Sequence, residues 1–207
     1  MGARSGTRER MLVAAVELMR ERGAGSVTVD AVLARSQTPR GSVYHHFPGG
    51  RAELVRDALI RAGDTIGVII EDAAGRGSLG ALRFFGEFWT AMLRASDFTA
   101  GCPVISVAVG GGPDDDELRP VVAAIFDRWH AGLVATLTAE DLPRERAESL
   151  ATLAVAAVEG AVVLCRVHRS TVPLDAILAE LEQTFTARLA RPLVGGGHHA
   201  GGWSRNP

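Results

Sequence analysis

The stretch 38-TPRGSVYHHFPGG-50 decides how the N-terminal third of the chain folds. Thr38 is a residue type that caps helix N-termini, and Pro39 suits the first helical position because an N–H would have no partner there. The proline and glycines that follow Phe47 predict the end of the helix. The sequence therefore predicts a short helix from Thr38 whose surface presents arginine, serine, tyrosine and histidine side chains.

Two amphipathic helices are predicted before this stretch. In the first, residues 7–22, apolar side chains recur at the spacing of one helix face, at Leu12, Ala15, Val16 and Met19. The second, residues 28–35, is expected to be capped by Thr28. A tight turn at Gln37 and Thr38 then leads into the third helix.

A helix, a tight turn and a second helix in this order predict a helix-turn-helix, whose second helix enters the major groove of DNA. Gly41 lowers helix stability by about 1 kcal/mol relative to alanine, which is tolerable where the backbone closely approaches DNA or the preceding helix. Val43 and Phe47 are expected to face inward. The residues predicted to meet DNA are Thr38, Arg40, Gly41, Ser42, Tyr44, His45 and His46. The alternative is a helical hairpin without a ligand.

Charge is distributed unevenly along the 207 residues. Residues 1–62 contain 10 arginines against 6 acidic residues, a net charge of +4, whereas residues 63–207 contain 12 against 18, a net charge of −6. All 22 basic residues are arginine, which suits contact with phosphate. This asymmetry indicates a small head that binds a polyanion and a larger body that does not.

Helical spacing continues beyond the head, so an all-α fold is expected. A long fourth helix from Arg51 leads into the body, and further helices are predicted at about residues 78–98, 117–138, 143–168 and 174–189. The run GCPVISVAVGGGP, residues 101–113, predicts a short helix followed by a mobile loop.

Composition narrows the functional classes. The chain is 47% hydrophobic and 22% charged, which is typical of a soluble globular protein. No apolar run long enough to cross a bilayer and no secretory signal are expected, so we predict a cytoplasmic protein without a membrane partner. Cys102 and Cys165 lie far apart and are expected to be reduced. No metal or cofactor is expected, because no metal-ligand spacing or phosphate-binding loop is present.

The head also carries a family pattern. A threonine opens the second helix, an apolar residue follows four positions later, and the third helix holds a glycine, an aromatic residue and a His-Phe pair. These are Thr28, Val32, Gly41, Tyr44, His46 and Phe47. With this pattern the chain resembles the TetR-type transcriptional regulators. The run GSVYHHFPGGRAEL and the later Gly101-Cys102-Pro103 are similar to the subgroup typified by the LmrA and YxaF repressors.

The resemblance implies a homodimeric repressor that binds double-stranded operator DNA and is released by a small effector. It adds to the predicted DNA contacts Thr28 and Arg51, the latter standing beside Gly50, where many members have a phosphate-contacting lysine. The chain departs from the family at Ser36-Gln37, where Ala-Gly is usual, and at Leu33, where the residue is usually small.

The resemblance also implies an effector cavity in the body. The candidates to line it are Phe85, Phe88, Trp89, Met92, Cys102, Phe126, Trp129, His130, Glu159 and Cys165. For the aromatic residues, the alternative is an ordinary core stripe. Glu159 lies amid alanine and valine, and a buried carboxylate needs an arginine or a ligand donor as its partner. We expect a largely apolar effector with one or two hydrogen-bonding groups, such as a planar antibiotic or flavonoid.

The last two helices are expected to form the dimer seam, because their apolar faces exceed what one subunit can bury. The seam residues predicted are Val158, Val162, Leu178, Leu181 and Phe185. The domain plan is then a flexible basic arm at 1–6, a helix-turn-helix domain at 7–62, an effector-binding and dimerisation body at 63–192 and a disordered tail at 193–207.

Two rival functions remain open at the level of sequence. One is an enzyme in which Cys102 is the nucleophile and His130 or His168 is the base, although no spacing selects either histidine. The other is a helix-turn-helix dimer that binds no small molecule. Of the three, the effector-controlled repressor accounts for most of the pattern, and the chain is not expected to be an enzyme.

Overall fold

A computed structural model describes the backbone of residues 2–110 and 115–189, and the side chains of 6–110 and 116–187. The predicted tail at 193–207 and most of the predicted mobile loop, residues 111–113, lie outside the described residues.

Every described regular element is helical, which confirms the predicted all-α fold. The elements in chain order are α1 Gly2–Arg22, a short 3₁₀ turn Ala24–Ser26, α2 Val29–Ser36, α3 Ser42–His46, α4 Gly50–Ala74, α5 Gly77–Ala95, α6 Pro103–Ala108, α7 Asp115–Thr138, α8 Arg144–His168 and α9 Val172–Leu189. The first three helices and the start of α4 form the head, and the remainder forms the body.

The first helix is longer than predicted. α1 begins at Gly2 and not near Thr7, so the helix includes residues 2–6, where the sequence predicts an arm. This segment contains no proline, and Ala3 and Arg4 are strong helix formers. The helix therefore extends beyond the turns that carry its apolar face.

The second helix and the tight turn are confirmed. The Thr28 hydroxyl oxygen accepts a 3.2 Å hydrogen bond from the Ala31 N–H and so caps α2. α2 ends at Ser36, and Gln37 adopts a left-handed conformation with φ 53°. The chain reverses direction there, although the left-handed conformation is less favourable for a residue with a side chain than for glycine.

The third helix starts later than predicted. Regular α3 begins at Ser42, four residues after Thr38, because a turn closed by the Ser42 N–H and the Pro39 carbonyl at 2.9 Å occupies the preceding positions. The Thr38 hydroxyl does not cap the helix. It shares a 2.7 Å hydrogen bond with the Ser36 hydroxyl. Because glycine has a low helix propensity, the regular helix begins only after Gly41.

The head is held together by apolar side chains from α1 to α4. α1 packs against both α2 and α4. Side chains with at most 1% of their surface exposed include Met11, Met19, Val32, Val43, Phe47, Leu54 and Val55. The inward orientation predicted for Val43 and Phe47 is therefore confirmed, and these two residues anchor the short α3.

The fourth helix joins the head to the body, as predicted, and glycine lets it approach α7 closely. A Cβ atom at Gly63 would lie 2.7 Å from Cγ1 of Ile125, so a larger residue would force the helices apart. The buried Gly63 carbonyl oxygen accepts a 3.0 Å hydrogen bond from Trp129 Nε1. α4 and α7 are thus held in close contact at Gly63.

α8 is more apolar than expected from the sequence, where no run long enough to cross a bilayer was predicted. It reaches a mean hydropathy of 1.9 over 18 residues, which is long and apolar enough to cross a membrane by length and composition. No such run was expected, but between Leu150 and Val167 only Glu159 and Arg166 carry charge. In the fold, α8 packs against α7 and α9, and core helices meet the same criterion.

Candidate functional site

The outer surface of α3 and the turn before it present polar side chains to solvent. Tyr44 is 66% exposed, His45 is exposed, and Ser42 and His46 are half-buried. The Arg40 side chain is 81% exposed and its Nη2 lies 2.7 Å from Oδ1 of Asp30 on α2. Because Val43 and Phe47 occupy the opposite side, this surface faces solvent.

Gly41 belongs to the same outer surface. A Cβ atom there would find no described atom within 4 Å, so packing against α2 does not require a glycine. Of the two reasons that the sequence suggested for this residue, close approach to α2 is wrong. Close approach of the backbone to DNA remains a prediction.

Three other predicted DNA contacts have roles within the head. Thr38 is buried and bonded to Ser36, and the exposed Thr28 caps α2. Arg51 donates from Nε to the Val27 carbonyl at 2.7 Å and from Nη2 to the Ala24 carbonyl at 3.2 Å. Thr38 is thus held by a residue two positions away and Arg51 by residues 24–27 positions away, and a contact of either side chain with DNA stays a prediction.

The body encloses a cavity of about 60 Å³ between α4, α5, α7, α8 and α9. Of the ten predicted lining residues, the structure brings Phe85, Trp129 and Glu159 to its wall. The other lining residues are Ile70, Ala73, Ser78, Ala81, Leu82, Leu133, Thr136, Leu137, Ala151, Ala154, Val155, Val158 and Phe185. The wall is thus apolar except at Ser78, Thr136 and Glu159.

The remaining predicted lining residues lie outside the wall of this cavity. Trp89 is buried with its ring 5.5 Å from the Phe88 ring in an edge-on contact. Met92 contacts the Arg20 guanidinium, and Phe126 packs edge-on to Trp129 at 5.3 Å. These side chains belong to the core around the cavity, since a stripe at helical spacing does not reveal which turn faces an empty space.

His130 and the two cysteines are also absent from the cavity wall. His130 Nε2 lies 3.0 Å from the Glu148 carbonyl oxygen and 3.1 Å from Thr152 Oγ1, so it ties α7 to α8. Cys102 and Cys165 are buried free thiols. Cys102 precedes α6 and contacts the carboxyl group of Glu159.

Glu159 is the unusual polar group of the body. Burial raises the pKa of its carboxyl group from 4.5 to about 7, and the contact with the Cys102 thiol offsets part of that rise. The residue keeps some accessible surface, but its Oε2 atom is shielded from solvent and has no hydrogen-bond partner among the described residues. A shielded oxygen without a partner is unfavourable unless something else satisfies it.

The same contact argues against nucleophilic chemistry at Cys102. Burial and the neighbouring Glu159 raise the pKa of the Cys102 thiol well above its usual value. A cysteine nucleophile needs the opposite, a pKa lowered by positive charge. The geometry therefore favours a structural thiol.

The predicted seam residues are turned inward. Val158, Val162, Leu181 and Phe185 are buried within the single chain, and Val158 and Phe185 line the cavity. Leu178 packs against Gly86 of α5. The four buried residues pack within their own subunit, and a seam role for them and for the half-buried Leu178 stays a prediction.

A different apolar surface remains uncovered on the last two helices. Along α8 it consists of Leu153, Ala156, Gly160, Val163, Leu164 and Val167, and at the start of α9 it continues with Val172. We call this set the outer stripe. Its members recur at helical spacing, and Val167 and Val172 are 71% and 68% exposed. A contiguous exposed apolar surface is typical of an interface.

Hydrogen bonds connect the body directly to the end of α1. The Gly101 N–H donates to the Arg20 carbonyl at 2.8 Å, and Arg20 Nε donates back to the Gly101 carbonyl at 3.4 Å. From α8, Arg166 Nη2 donates to the carbonyls of Glu21 at 3.2 Å and Thr99 at 2.8 Å. These hydrogen bonds therefore join α8 and residues 99–101 to the last turn of α1 in the head.

Comparison with known proteins identifies the family. The profile of bacterial regulatory proteins of the tetR family matches residues 11–58, and that of the C-terminal domain of LmrA/YxaF-like transcriptional regulators matches residues 78–180. An uncharacterised HTH-type transcriptional regulator of Mycobacterium tuberculosis is 41% identical over 189 residues, covering 89% of this chain and 96% of the relative. The chain belongs to the TetR family of transcriptional regulators.

Solved structures of TetR-family regulators share the fold. The crystal structure of regulatory protein TetR from Rhodobacter sphaeroides matches with a TM-score of 0.77 at 21% identity, covering 86% of this chain and 97% of that one. A cysteine-substituted CifR in complex with 26-base-pair operator DNA matches with a TM-score of 0.68 at 19% identity, covering 87% and 95%. As a TetR-family regulator, the chain is a DNA-binding protein with a helical head and a helical body.

The raised pKa of Glu159 predicts a pH dependence of stability. Because the unfolded chain ionises this group near 4.5 and the folded chain near 7, the contribution of Glu159 to stability should be greatest below about pH 4.5 and be lost as the pH rises through about 7. The decrease attributable to Glu159 is up to about 3 kcal/mol. Denaturant unfolding of the wild type and of Glu159→Gln between pH 4.5 and 8 measures the difference. Parallel profiles would contradict the assignment.

Proposed function

We propose that this TetR-family regulator is a cytoplasmic homodimeric repressor, released from its operator by a small, largely apolar effector that enters the body cavity. The observation that carries this proposal is the position of Trp129. Its ring lines the cavity, and its Nε1 atom donates a hydrogen bond to the Gly63 carbonyl on α4, the helix that leads into the head. One side chain thus touches both the space for an effector and the helix that carries the DNA-binding surface.

The small size of the cavity supports release on effector binding. About 60 Å³ is well below the roughly 150 Å³ cavity that accepts benzene, so a planar antibiotic or flavonoid does not fit without movement. Entry of such a molecule would displace Trp129 or its neighbours. Because α4 and α7 are in close contact at Gly63, α4 would then have to move as well. The empty protein would then be the DNA-binding form, because an effector that fits only a rearranged body shifts the population toward that state.

The outer surface of α3 supports direct contact with DNA bases. Arg40, Tyr44 and His45 are exposed donors on the cationic head, and arginine is the side chain that most often reads guanine in the major groove. The Asp30 carboxylate beside Arg40 would hold the guanidinium in one orientation before DNA arrives. An exposed ion pair of this kind contributes little to stability, so it is easily exchanged for a base contact.

The outer stripe supports dimerisation through α8 and α9. A second copy related by a twofold axis would cover this apolar surface with the same surface of its own. Two heads would then meet successive major-groove faces about 34–36 Å apart, or a multiple of that distance. If a second subunit covers the outer stripe, the high hydropathy of α8 is explained without insertion into a membrane.

The rival functions receive less support. The raised pKa of the Cys102 thiol opposes its use as a nucleophile, and His130 is engaged between α7 and α8. A dimer without an effector would not need an apolar cavity that is lined by a glutamate with one unpartnered oxygen among the described residues.

Replacing Arg40 by alanine is expected to weaken binding to the operator by about 1–3 kcal/mol, because a base contact is lost. Arg144→Ala is a matched control, since Arg144 is an equally exposed arginine of the body that pairs with Glu148 at 2.9 Å. Fluorescence anisotropy at fixed salt on a site recovered by selection from genomic fragments provides the measurement. Equal losses for both variants would contradict a role of Arg40 in DNA recognition.

Replacing Leu164 by glutamate is expected to break the dimer, because it would place an unpaired charge in an apolar interface. Sedimentation should then show monomers, and operator binding should weaken because half of the phosphate contacts are lost. Val68→Glu is the control, as Val68 is an exposed apolar residue of α4 outside the outer stripe. A Leu164→Glu protein that remains dimeric would place the interface elsewhere.

Trp129→Phe should separate effector binding from DNA release. The ring remains in the cavity wall, but the hydrogen bond to the Gly63 carbonyl is lost, so a compound that releases the wild type should bind without releasing the variant as readily. Calorimetry measures binding, and anisotropy of labelled operator measures release. Trp89→Phe is the control, because Trp89 is buried in α5 away from the cavity wall. Equal release by wild type and Trp129→Phe would refute the proposed connection.

A further inference from the structure

The cavity wall has an unusual balance of hydrogen-bonding groups. Its polar side chains are those of Ser78, Thr136 and Glu159, and the indole of Trp129 adds one N–H. Which of these can still bind a ligand depends on the partners that each already has within the protein. A group that already donates its hydrogen to a protein acceptor offers a ligand only its lone pairs.

Each N–H and hydroxyl donor on the wall is already used, apart from the proton that the Glu159 carboxyl group carries when it is neutral. Ser78 donates from Oγ to Glu140 Oε2 at 2.5 Å, and its backbone N–H donates to Glu140 Oε1 at 2.6 Å. Thr136 Oγ1 donates to the Gly132 carbonyl at 3.0 Å, and Trp129 Nε1 donates to the Gly63 carbonyl at 3.0 Å. The other lining residues lie inside helices, where each N–H bonds the carbonyl four residues earlier.

The hydrogen-bond acceptors of the lining residues, in contrast, are not all used. The Oε2 atom of Glu159 is shielded from solvent and lacks a partner within the part of the chain that the structure describes. The hydroxyl oxygens of Ser78 and Thr136 keep lone pairs. The described lining residues include no arginine or histidine, so the wall carries no positive charge.

This balance selects one class of ligand. A carboxylate or phosphate would find neither a positive charge nor a free N–H, and it would meet the Glu159 carboxyl. A purely apolar molecule would leave Oε2 unsatisfied. An ammonium group supplies both the donor and the charge, and a charge-assisted hydrogen bond is roughly twice as strong as a neutral one.

We propose that the cavity binds a lipophilic primary amine in its ammonium form, with the ammonium nitrogen donating to Oε2 of Glu159 and the apolar part packed against Phe85, Trp129 and the aliphatic wall. The inference rests on the proposed function, because it concerns the same cavity, and it narrows the effector from any apolar molecule to one that carries a basic nitrogen. The raised pKa of Glu159 fits this role, since a carboxyl group that is held partly neutral in the empty protein ionises fully when a cation arrives.

The test compares three probes with one ring and one substituent each: benzylamine, benzyl alcohol and benzoate. All three need the same widening of the cavity, because about 60 Å³ is well below the roughly 150 Å³ that accepts benzene. At pH 7, calorimetry on the full chain should show that benzylamine binds the wild type about tenfold or more tightly than benzyl alcohol, with benzoate weaker than both. Because this comparison uses the unaltered protein, it does not depend on whether any variant folds. Equal affinity for the amine and the alcohol, or tighter binding of benzoate, would overturn the proposal.

Three variants test whether Glu159 causes the preference for benzylamine over benzyl alcohol. Glu159→Gln should bind benzylamine and benzyl alcohol with similar affinity, while Thr136→Val, which removes a lining hydroxyl that already donates within its own helix, should keep the preference. Glu159→Asp retains the charge and should keep a preference for the amine. An amine preference that survives in a folded Glu159→Gln protein would overturn the proposal.

Operator release, measured separately, distinguishes this inference from the proposed function. Benzylamine bound through Glu159 without any release of operator would support the amine site and contradict the proposed coupling to DNA. Release by neutral apolar compounds, without an amine preference in binding, would support effector control and overturn the amine site.

Discussion

The hydrogen bond from Trp129 Nε1 to the Gly63 carbonyl is the interaction on which the rest of the structure depends. It exists because Gly63 lacks a side chain, so that Ile125 and Trp129 of α7 can lie directly against the backbone of α4. The α4 helix carries the head at its N-terminal end and forms part of the cavity wall near its C-terminal end, at Ile70 and Ala73. A contact this tight transmits displacement, because well-packed helices cannot absorb it by compression.

A second connection reaches the head by a different route. Residues 99–101 are bonded to the last turn of α1 through Arg20, and Arg166 on α8 bonds both segments. Cys102 follows directly and contacts Glu159, so the polar end of the cavity adjoins the segment that holds α1. The body therefore meets the head at α1 as well as through α4, and both connections begin at side chains in or beside the cavity.

The distribution of apolar surface explains why α8 serves two roles. Its inner face supplies Ala154, Val158 and Glu159 to the cavity, whereas its outer face carries Val163, Leu164 and Val167 at the surface. A helix that is apolar almost all round is expected where both of its faces are covered, which fits the proposed dimer. The same property gives α8 the composition of a membrane-spanning helix, although its inner face is packed within the body.

The sequence by itself determined the helical class, the spans of most helices, the cap at Thr28, the turn at Gln37 and the anchors Val43 and Phe47, because these follow from local propensity and spacing. The family resemblance was also readable from the residues of the head. Only the tertiary structure decided that Arg51 and Thr38 turn inward, that Val158 and Phe185 line a cavity, and that Leu164 and Val167 stay outside. Periodicity shows that a helix has an apolar face, but which neighbour covers that face depends on how distant helices pack.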